Sequence, residues 1–323
     1  MVQDANGLIL AALPPERFSR DDAARLREAG KGRDVVITAD SAEMESLLDR
    51  IEIGMGDVPF SLLPRMPRLA WVQLWSAGAD WLQQYPEVKA LPFRLTTTSG
   101  IHGRQITEHV FALLLAWNRK LFQAFPAQAR REWLRPGFGE LPVLAGKTML
   151  ILGYGSIGEV LAQTALAFGM RVTGIRRRPP GESAVPIAPA SKLMELLPAA
   201  DVLVNILPLT PDTKRSFGCR EFAAMKNSAV YISVGRGAVT DEAAMIDALR
   251  AKTIAAALLD VTEEEPLPPD SPLWTLDNVL LTAHYGGLRS DYDRLALEVA
   301  LDNLGRFVRG EPLRNLVDKD QGY

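Results

Sequence analysis

A chain of 323 residues is long enough for two domains that each bury a core of their own, and its 47% hydrophobic and 23% charged residues are those of an ordinary soluble protein. A formal net charge of −3 gives no electrostatic reason to expect nucleic acid or an anionic membrane as a partner. The single cysteine, Cys219, excludes an intramolecular disulfide and a thiolate metal cage, so no metal site is expected and a reducing cytoplasm is the expected compartment.

Met1 to Leu13 has no basic segment ahead of its short apolar run, so no signal peptide is expected. Leu8 to Leu13 reads as a first strand ended by Pro14-Pro15, Asp21 to Ala29 as a helix and Asp34 to Thr38 as a second strand. Glu43 to Asp49 reads as helical, and Ile51 to Gly54 and Leu69 to Leu74 as further strands. The second of these runs into the small-residue turn Trp75-Ser76-Ala77-Gly78-Ala79-Asp80. The alternation predicts a small parallel α/β layer without a glycine fingerprint. Phe93 to Thr97 is one more strand, and Ser99 to Gly103 a hinge. From Ile106 a long helix begins, and its run Val110 to Trp117 is apolar nearly all round but far too short to span a bilayer. Phe122 to Leu144 is mixed and proline-bearing, and connections of that length are unusual inside a compact domain. An arm over a second subunit and an intramolecular surface loop both fit it; a homodimer built on the Ile106 to Leu121 helix and this segment is the expected assembly.

The stretch Thr148 to Gly158 then sets the organisation of the chain. Five mostly apolar residues read as a buried strand, Gly153-Tyr154-Gly155-Ser156-Ile157-Gly158 has G-x-G-x-x-G spacing, and Glu159 to Phe168 is helical. Gly153 allows the tight turn, Gly155 lets a pyrophosphate approach the backbone, and Gly158 lets the helix pack on the sheet. Between a strand and a helix this spacing is a fairly specific dinucleotide signal. Further strands are read at Arg171 to Ile175, Asp201 to Leu207, Ala229 to Val234, Ile254 to Asp260 and Val279 to Thr282. Helices are read at Lys192 to Leu197, Glu221 to Lys226, Asp241 to Ala251 and Asp291 to Arg309. Repeated βα units with buried strands predict a doubly wound parallel sheet, with the last helix returning to the first domain.

In such a sheet ligands bind beyond the carboxyl ends of the strands, so polar residues just after a strand are the candidates. These are Arg236 in Gly235-Arg236-Gly237, Asp260, Glu265 and His284. An arginine holds a carboxylate by two parallel hydrogen bonds, and an imidazole moves a proton near neutral pH with a carboxylate to orient it. Taken singly each has a plainer reading as a surface charge, a loop carboxylate or a turn former. Their joint placement at strand ends favours function. His102, His109 and Cys219 read as structural. Ile106 and Leu207 stay open between nicotinamide contact and core, and Trp75, Trp81 and Trp133 between substrate pocket and packing.

Five motifs in one order carry a resemblance: the glycine turn, Leu207-Pro208-Leu209-Thr210, Val234-Gly235-Arg236-Gly237, Leu259-Asp260-Val261 through Glu265-Pro266-Leu267, and Thr282-Ala283-His284. Over roughly Ser76 to Gly287 the chain resembles the D-isomer-specific 2-hydroxyacid dehydrogenases. The resemblance implies an NAD(P)-binding Rossmann domain at 99–287. It also implies a smaller flavodoxin-like α/β substrate domain made of 1–98 and 288–323. It implies Arg236, Glu265 and His284 as the catalytic three, and Ala77 and Gly78 as amides for a substrate carboxylate. Cofactor contacts are expected from Gly153, Tyr154, Gly155, Ser156, Ile157, Gly158, Leu207, Pro208, Val234, Gly235, Arg236, Asp260, His284 and Gly286. Ala283 departs from the family pattern, in which proline precedes the histidine; the proton donor stays in place.

The activity implied is reduction of a small 2-keto acid, of glyoxylate or hydroxypyruvate type, to the D-2-hydroxy acid. The second strand of the nucleotide unit ends in Arg176-Arg177-Arg178 with no acid before Glu182. A ribose 2′-phosphate would meet guanidinium groups there and a bare 2′-hydroxyl would meet no carboxylate, so NADP(H) is expected over NAD(H). The rival readings are an NAD(P)-sensing regulatory scaffold on a dehydrogenase-like fold and a formate- or phosphite-type dehydrogenase.

Overall fold

The computed structural model describes residues 7–177 and 182–322. The chain forms two compact units, one built from the chain up to Ile101 and again from Arg289 onward, the other from His102 to Leu288.

The first unit is a five-stranded sheet in the order β2-β1-β3-β4-β5, all parallel. Its strands are β1 (Leu8–Ala12), β2 (Asp34–Ile37), β3 (Ile51–Gly56), β4 (Trp71–Gln73) and β5 (Arg94–Thr96). This is the flavodoxin-like order, with the strand order reversing between β1 and β3. Alternate residues of β1 explain why both faces are covered. Leu8, Leu10 and Ala12 join a cluster with Ile51, Val72 and Leu95 on one face. On the other, Ile9 and Ala11 meet Ile53, Trp71 and the Tyr292–Arg309 helix through Ala296, Ala300, Leu304 and Phe307. Two small alanines let that helix approach closely, and a left-handed Gly310 (φ +68°) ends it.

The second unit is a seven-stranded parallel sheet. Its strands are β6 (Thr148–Leu152), β7 (Arg171–Arg176), β8 (Ile187–Pro189), β9 (Val202–Asn205), β10 (Val230–Ser233), β11 (Ala256–Leu259) and β12 (Val279–Leu281). Their order, β12-β11-β10-β9-β6-β7-β8, reverses between β6 and β9 and is the doubly wound pattern. Met149 and Ile151 pack on one face with Val204, Ile232 and Leu258, and Leu150 and Leu152 on the other with Leu203, Tyr231 and Ala257. Strands buried on both faces read as continuous apolar runs, which is why they are legible as such. Only the short edge strand β8 was not expected; it ends on Pro189, a residue that an edge tolerates.

The register brings five strand ends to one level. Leu152 pairs with Asn205, Asn205 with Ser233, Ser233 with Leu259 and Leu259 with Leu281. The ladder continues one residue further: Ile206, Val234, Asp260 and Thr282 donate their N–H groups to Leu152, Asn205, Ser233 and Leu259 at 2.8–3.1 Å. Arg236, Asp260 and His284 lie within three residues of that edge, and Glu265 lies in the loop that follows β11.

The long helix starts three residues ahead of its expected beginning, at Gly103, and runs to Asn118. Its glycine start has a packing reason: a Cβ there would lie 2.7 Å from Val160 on the Ser156–Ala167 helix. Burial on more than one side, expected from its apolar sequence, is met: Gln105, Ile106, Thr107, Val110, Phe111, Leu113 and Leu114 are all buried. Arg104, Glu108 and Ala112, four residues apart, form an exposed stripe. The segment after it is not irregular throughout, because Leu121–Ala129 is a helix despite Pro126 inside it. From Arg130 to Lys147 no regular element forms, and Trp133 and Phe138 stand 96% and 103% exposed. No helix among the described residues is long and apolar enough to cross a membrane.

Candidate active site

The glycine turn after β6 leaves room at one place and closes it at two. Gly153 is left-handed (φ +96°), and a Cβ on it would sit 2.9 Å from the Ile206 carbonyl and the Leu207 nitrogen. The amides of Gly153 and Tyr154 are both taken by the Ile175 carbonyl, at 3.0 and 2.9 Å, which ties the turn to β7. A Cβ on Gly158 would come within 3.3 Å of Ile151, so this glycine sets the helix against the sheet. Gly155 differs: nothing lies within 4 Å of where its side chain would be. The Ser156–Ala167 helix begins there with no side-chain cap, so its first-turn amides, including Ser156, Ile157 and Gly158, lack an intrahelical acceptor. An opening, free donors and a helix dipole are the features that favour an anion at a helix start. Tyr154 contributes only backbone to it. Its ring is 3% exposed, lies where a Cβ on Gly174 would be 2.4 Å away, and accepts a 3.3 Å hydrogen bond from Ser183.

At the end of β7, Arg176 and Arg177 are exposed, and Arg177 reaches Asp212 at 3.4 Å. Arg178 lies outside the described residues. The next strand end is pinned by a buried network. Asn205 accepts from the Leu207 amide at 3.1 Å and donates to the Tyr231 hydroxyl at 2.9 Å, which lies 2.6 Å from Thr240. Gly235 presses on the same Leu207 peptide from β10, since its Cβ would fall 2.7 Å from the Leu207 carbonyl. Leu207 is half-buried and Pro208 exposed, and Val234 is buried beside them.

Arg236 follows Gly235 and is half-buried, with a guanidinium N–H donated to the Gly235 carbonyl at 2.9 Å. The residue after it has no room for any side chain: a Cβ on Gly237 would lie 1.9 Å from the Thr262 carbonyl. The arginine turn is thereby locked against the loop that carries Glu265. In that loop Glu265 accepts the Thr262 amide at 3.1 Å with one carboxylate oxygen and meets His284 Nδ1 at 2.6 Å with the other. An ionised carboxylate only accepts, so Nδ1 carries the proton. Nε2, on the opposite side of the ring, meets no partner among the described residues, and the side chain is 45% exposed.

His284 itself is left-handed (φ +52°), an uncommon state for a non-glycine residue, and its amide is donated to the Asp260 carbonyl at 2.8 Å. Asp260 is 3% exposed and receives the Thr282 hydroxyl at 2.7 Å and the amides of Tyr285 and Gly286 at 3.2 and 2.9 Å. Burial pushes its pKa up, but hydrogen bonds from His109, Thr282 and Gly286 outweigh this and hold it down to about 2. His109, which reads as structural from the sequence, joins this network. It comes from the Gly103–Asn118 helix, and nothing local in Thr107-Glu108-His109 shows that its ring meets β11 and β12. Ala77 and Gly78 belong to the first unit, in the loop after β4, where Ser76 donates to the Gly78 carbonyl at 3.2 Å. Trp75 packs there, bonded to Asp293 at 3.0 Å. Trp81 is stacked on Phe60 at 3.5 Å.

The family profile "D-isomer specific 2-hydroxyacid dehydrogenase, NAD binding domain" matches residues 111–286. The chain is 36% identical over 284 residues to a glyoxylate/hydroxypyruvate reductase B of Citrobacter koseri, covering 86% of this chain and 85% of that protein. Its fold superposes with a TM-score of 0.83 on a D-isomer specific 2-hydroxyacid dehydrogenase family protein from Aeromonas salmonicida, 32% identical, over 98% of this chain and 100% of the other. The TM-score is also 0.83, at 29% identity and with coverage of 98% and 100%, for an NADPH-dependent glyoxylate/hydroxypyruvate reductase from Sinorhizobium meliloti in complex with NADP and sulfate.

Proposed function

This chain belongs to the D-isomer specific 2-hydroxyacid dehydrogenases, and from that premise we propose that it reduces a small 2-keto acid of glyoxylate or hydroxypyruvate type with NADPH. The observation that carries this reading is the 2.6 Å contact between His284 and Glu265 at the strand edge that also holds the open glycine turn. The residues fit a dinucleotide: Gly155 faces open space, the helix amides behind it are uncapped, and β7 ends in arginines where an acid would serve a bare ribose. Gly153 to Gly158 would hold the pyrophosphate, Arg176 and Arg177 the 2′-phosphate, and Leu207, Pro208, Val234, Gly235, Asp260 and Gly286 the nicotinamide end. When bound, a reduced nicotinamide supplies the hydride.

The chain's own residues do the rest. Arg236 holds the substrate carboxylate by paired hydrogen bonds and polarises the carbonyl. His284 gives the proton on Nε2 to the carbonyl oxygen as negative charge develops there. Nδ1–H stays on Glu265, whose carboxylate stabilises the doubly protonated ring and fixes its orientation. The product is the D-2-hydroxy acid. A single cysteine suits work in a reducing cytoplasm.

The assembly that fits is a homodimer. Trp133 and Phe138, nearly wholly exposed on the segment after the Leu121–Ala129 helix, are large apolar side chains that a second subunit would cover. Sedimentation at micromolar concentration would show twice the 35.4 kDa mass; a 35.4 kDa species alone would refute the dimer. The activity is tested by steady-state rates on glyoxylate, hydroxypyruvate and longer 2-keto acids with NADPH and with NADH. NADPH-dependent turnover of at least one short keto acid is expected. Cofactor binding without turnover of any would favour a sensor.

A further inference from the structure

His109 enters the site from an element that carries none of the other candidate residues. Its Nε2 lies 2.8 Å from Thr282 Oγ1 and 3.3 Å from Asp260 Oδ1, and its side chain is 13% exposed. The roles of these atoms follow from counting hydrogens. Asp260 is ionised and only accepts, so the one hydroxyl hydrogen of Thr282 goes to it across 2.7 Å. Thr282 must then accept from His109, which places a hydrogen on Nε2. Space is closed around the ring as well. A Cβ on Gly286 would lie 2.9 Å from His109 Cδ2 and 2.8 Å from Asp260 Oδ2, and the Tyr285 ring stands edge-on to His109 at 5.3 Å.

Residues 282, 284, 285 and 286 are thus all bonded to Asp260, and the ring of His109 closes the arrangement from the helix side. His284 sits in the middle of this turn with φ +52°. A non-glycine residue persists in that region only where its surroundings over-determine it. We propose that His109 is a positioning residue for the reaction: through Thr282 and Asp260 it holds the turn that presents His284. The helix that carries it is anchored by the fully buried Val110 and Leu114, so the ring has a rigid base from which to act. An apolar side chain of similar size would fill the space and leave Thr282 without its donor.

This proposal rests on the keto-acid reading above, and the test separates the two. Two variants are compared with wild type, His109→Leu and His109→Gln, the second keeping an N–H donor of similar reach. Two quantities are read: amide hydrogen exchange at Tyr285 and Gly286, which needs no substrate, and kcat against KM for NADPH and keto acid. In H109L, exchange at those two amides should rise and kcat should fall by about 5- to 30-fold, the factor for a lost hydrogen bond to a charged network. KM for NADPH should stay within about twofold, and amides in β6 and β9 should exchange as in wild type. H109Q should recover most of both changes. Unchanged exchange and kcat in H109L would overturn the proposal, as would an H109Q variant as impaired as H109L. A wild type inactive on every keto acid would overturn the reaction assigned above instead, and exchange at residues 285 and 286 would still decide whether His109 holds the turn.

Discussion

In the first unit β1 runs out into Leu13-Pro14-Pro15, whereas in the second β6 runs out into Gly153-Tyr154-Gly155. Both strands stand beside the point where the order of their parallel sheet reverses, the place where such sheets take ligands. After β1 the chain forms a single 3₁₀ turn, Pro15–Arg17, whose residue at the first position has no N–H to offer. After β6 it forms an open glycine corner and a 12-residue helix whose first amides point out uncapped. Both sheets have a switch point, and the turn chemistry at it differs: only the second offers free helix amides to an anion.

The predictions break this contrast at successive points. Short of removing His284 itself, the largest effect should come from Gly237→Ala, since its Cβ would sit 1.9 Å from a backbone carbonyl in the Glu265 loop. Shifts of about 1 Å in such a loop cost roughly 10²-fold in rate, so kcat should fall by about that factor. Near-wild-type kcat would show that the two turns are not coupled. Gly155→Ala should act oppositely on the fold. Its side chain meets open space, so Tm should hold while NADPH affinity, read by fluorescence, weakens by about 10- to 30-fold through lost amide contacts. Arg176→Ala/Arg177→Ala should lower kcat/KM for NADPH by about tenfold and leave NADH nearly unchanged, removing charge-assisted bonds to the 2′-phosphate. An unchanged NADPH preference would remove these arginines from the account.

The smallest effect concerns acid stability. Asp260 has its folded pKa depressed to about 2, below the ordinary carboxylate value of 3.8. Its contribution is present above the unfolded value and is lost as pH falls through the folded one. Wild type should therefore shed about 1–2 kcal/mol more stability than Asp260→Asn between pH of about 4 and 2. Equal slopes in acid unfolding curves would contradict the Asp260 network.

Much of this was legible in the sequence because its signals are local. Buried parallel strands are continuous apolar runs, and the three glycines stand in order between a strand and a helix. Arg236, Asp260 and His284 each stand within three residues of a strand end, so they are legible before their neighbours are known. What stayed hidden depends on residues far apart in the chain. His109 and Thr282 are separated by 173 positions, and no local pattern links them. The reason for Gly237 lies in the Thr262 carbonyl, and the reason for Gly103 in Val160 on another helix. The Leu121–Ala129 helix is hidden by Pro126, which breaks the helical pattern locally, although Ala127 beside it is buried.

The central claim is that His284, held by Glu265, is the proton donor of a keto-acid reductase. Its most direct test is to compare kcat for keto-acid reduction in wild type and His284→Ala, with the NADPH dissociation constant measured on the same preparations. The account predicts a fall in kcat of about 10²- to 10⁴-fold with NADPH binding preserved. Wild-type turnover in the His284→Ala variant would contradict it.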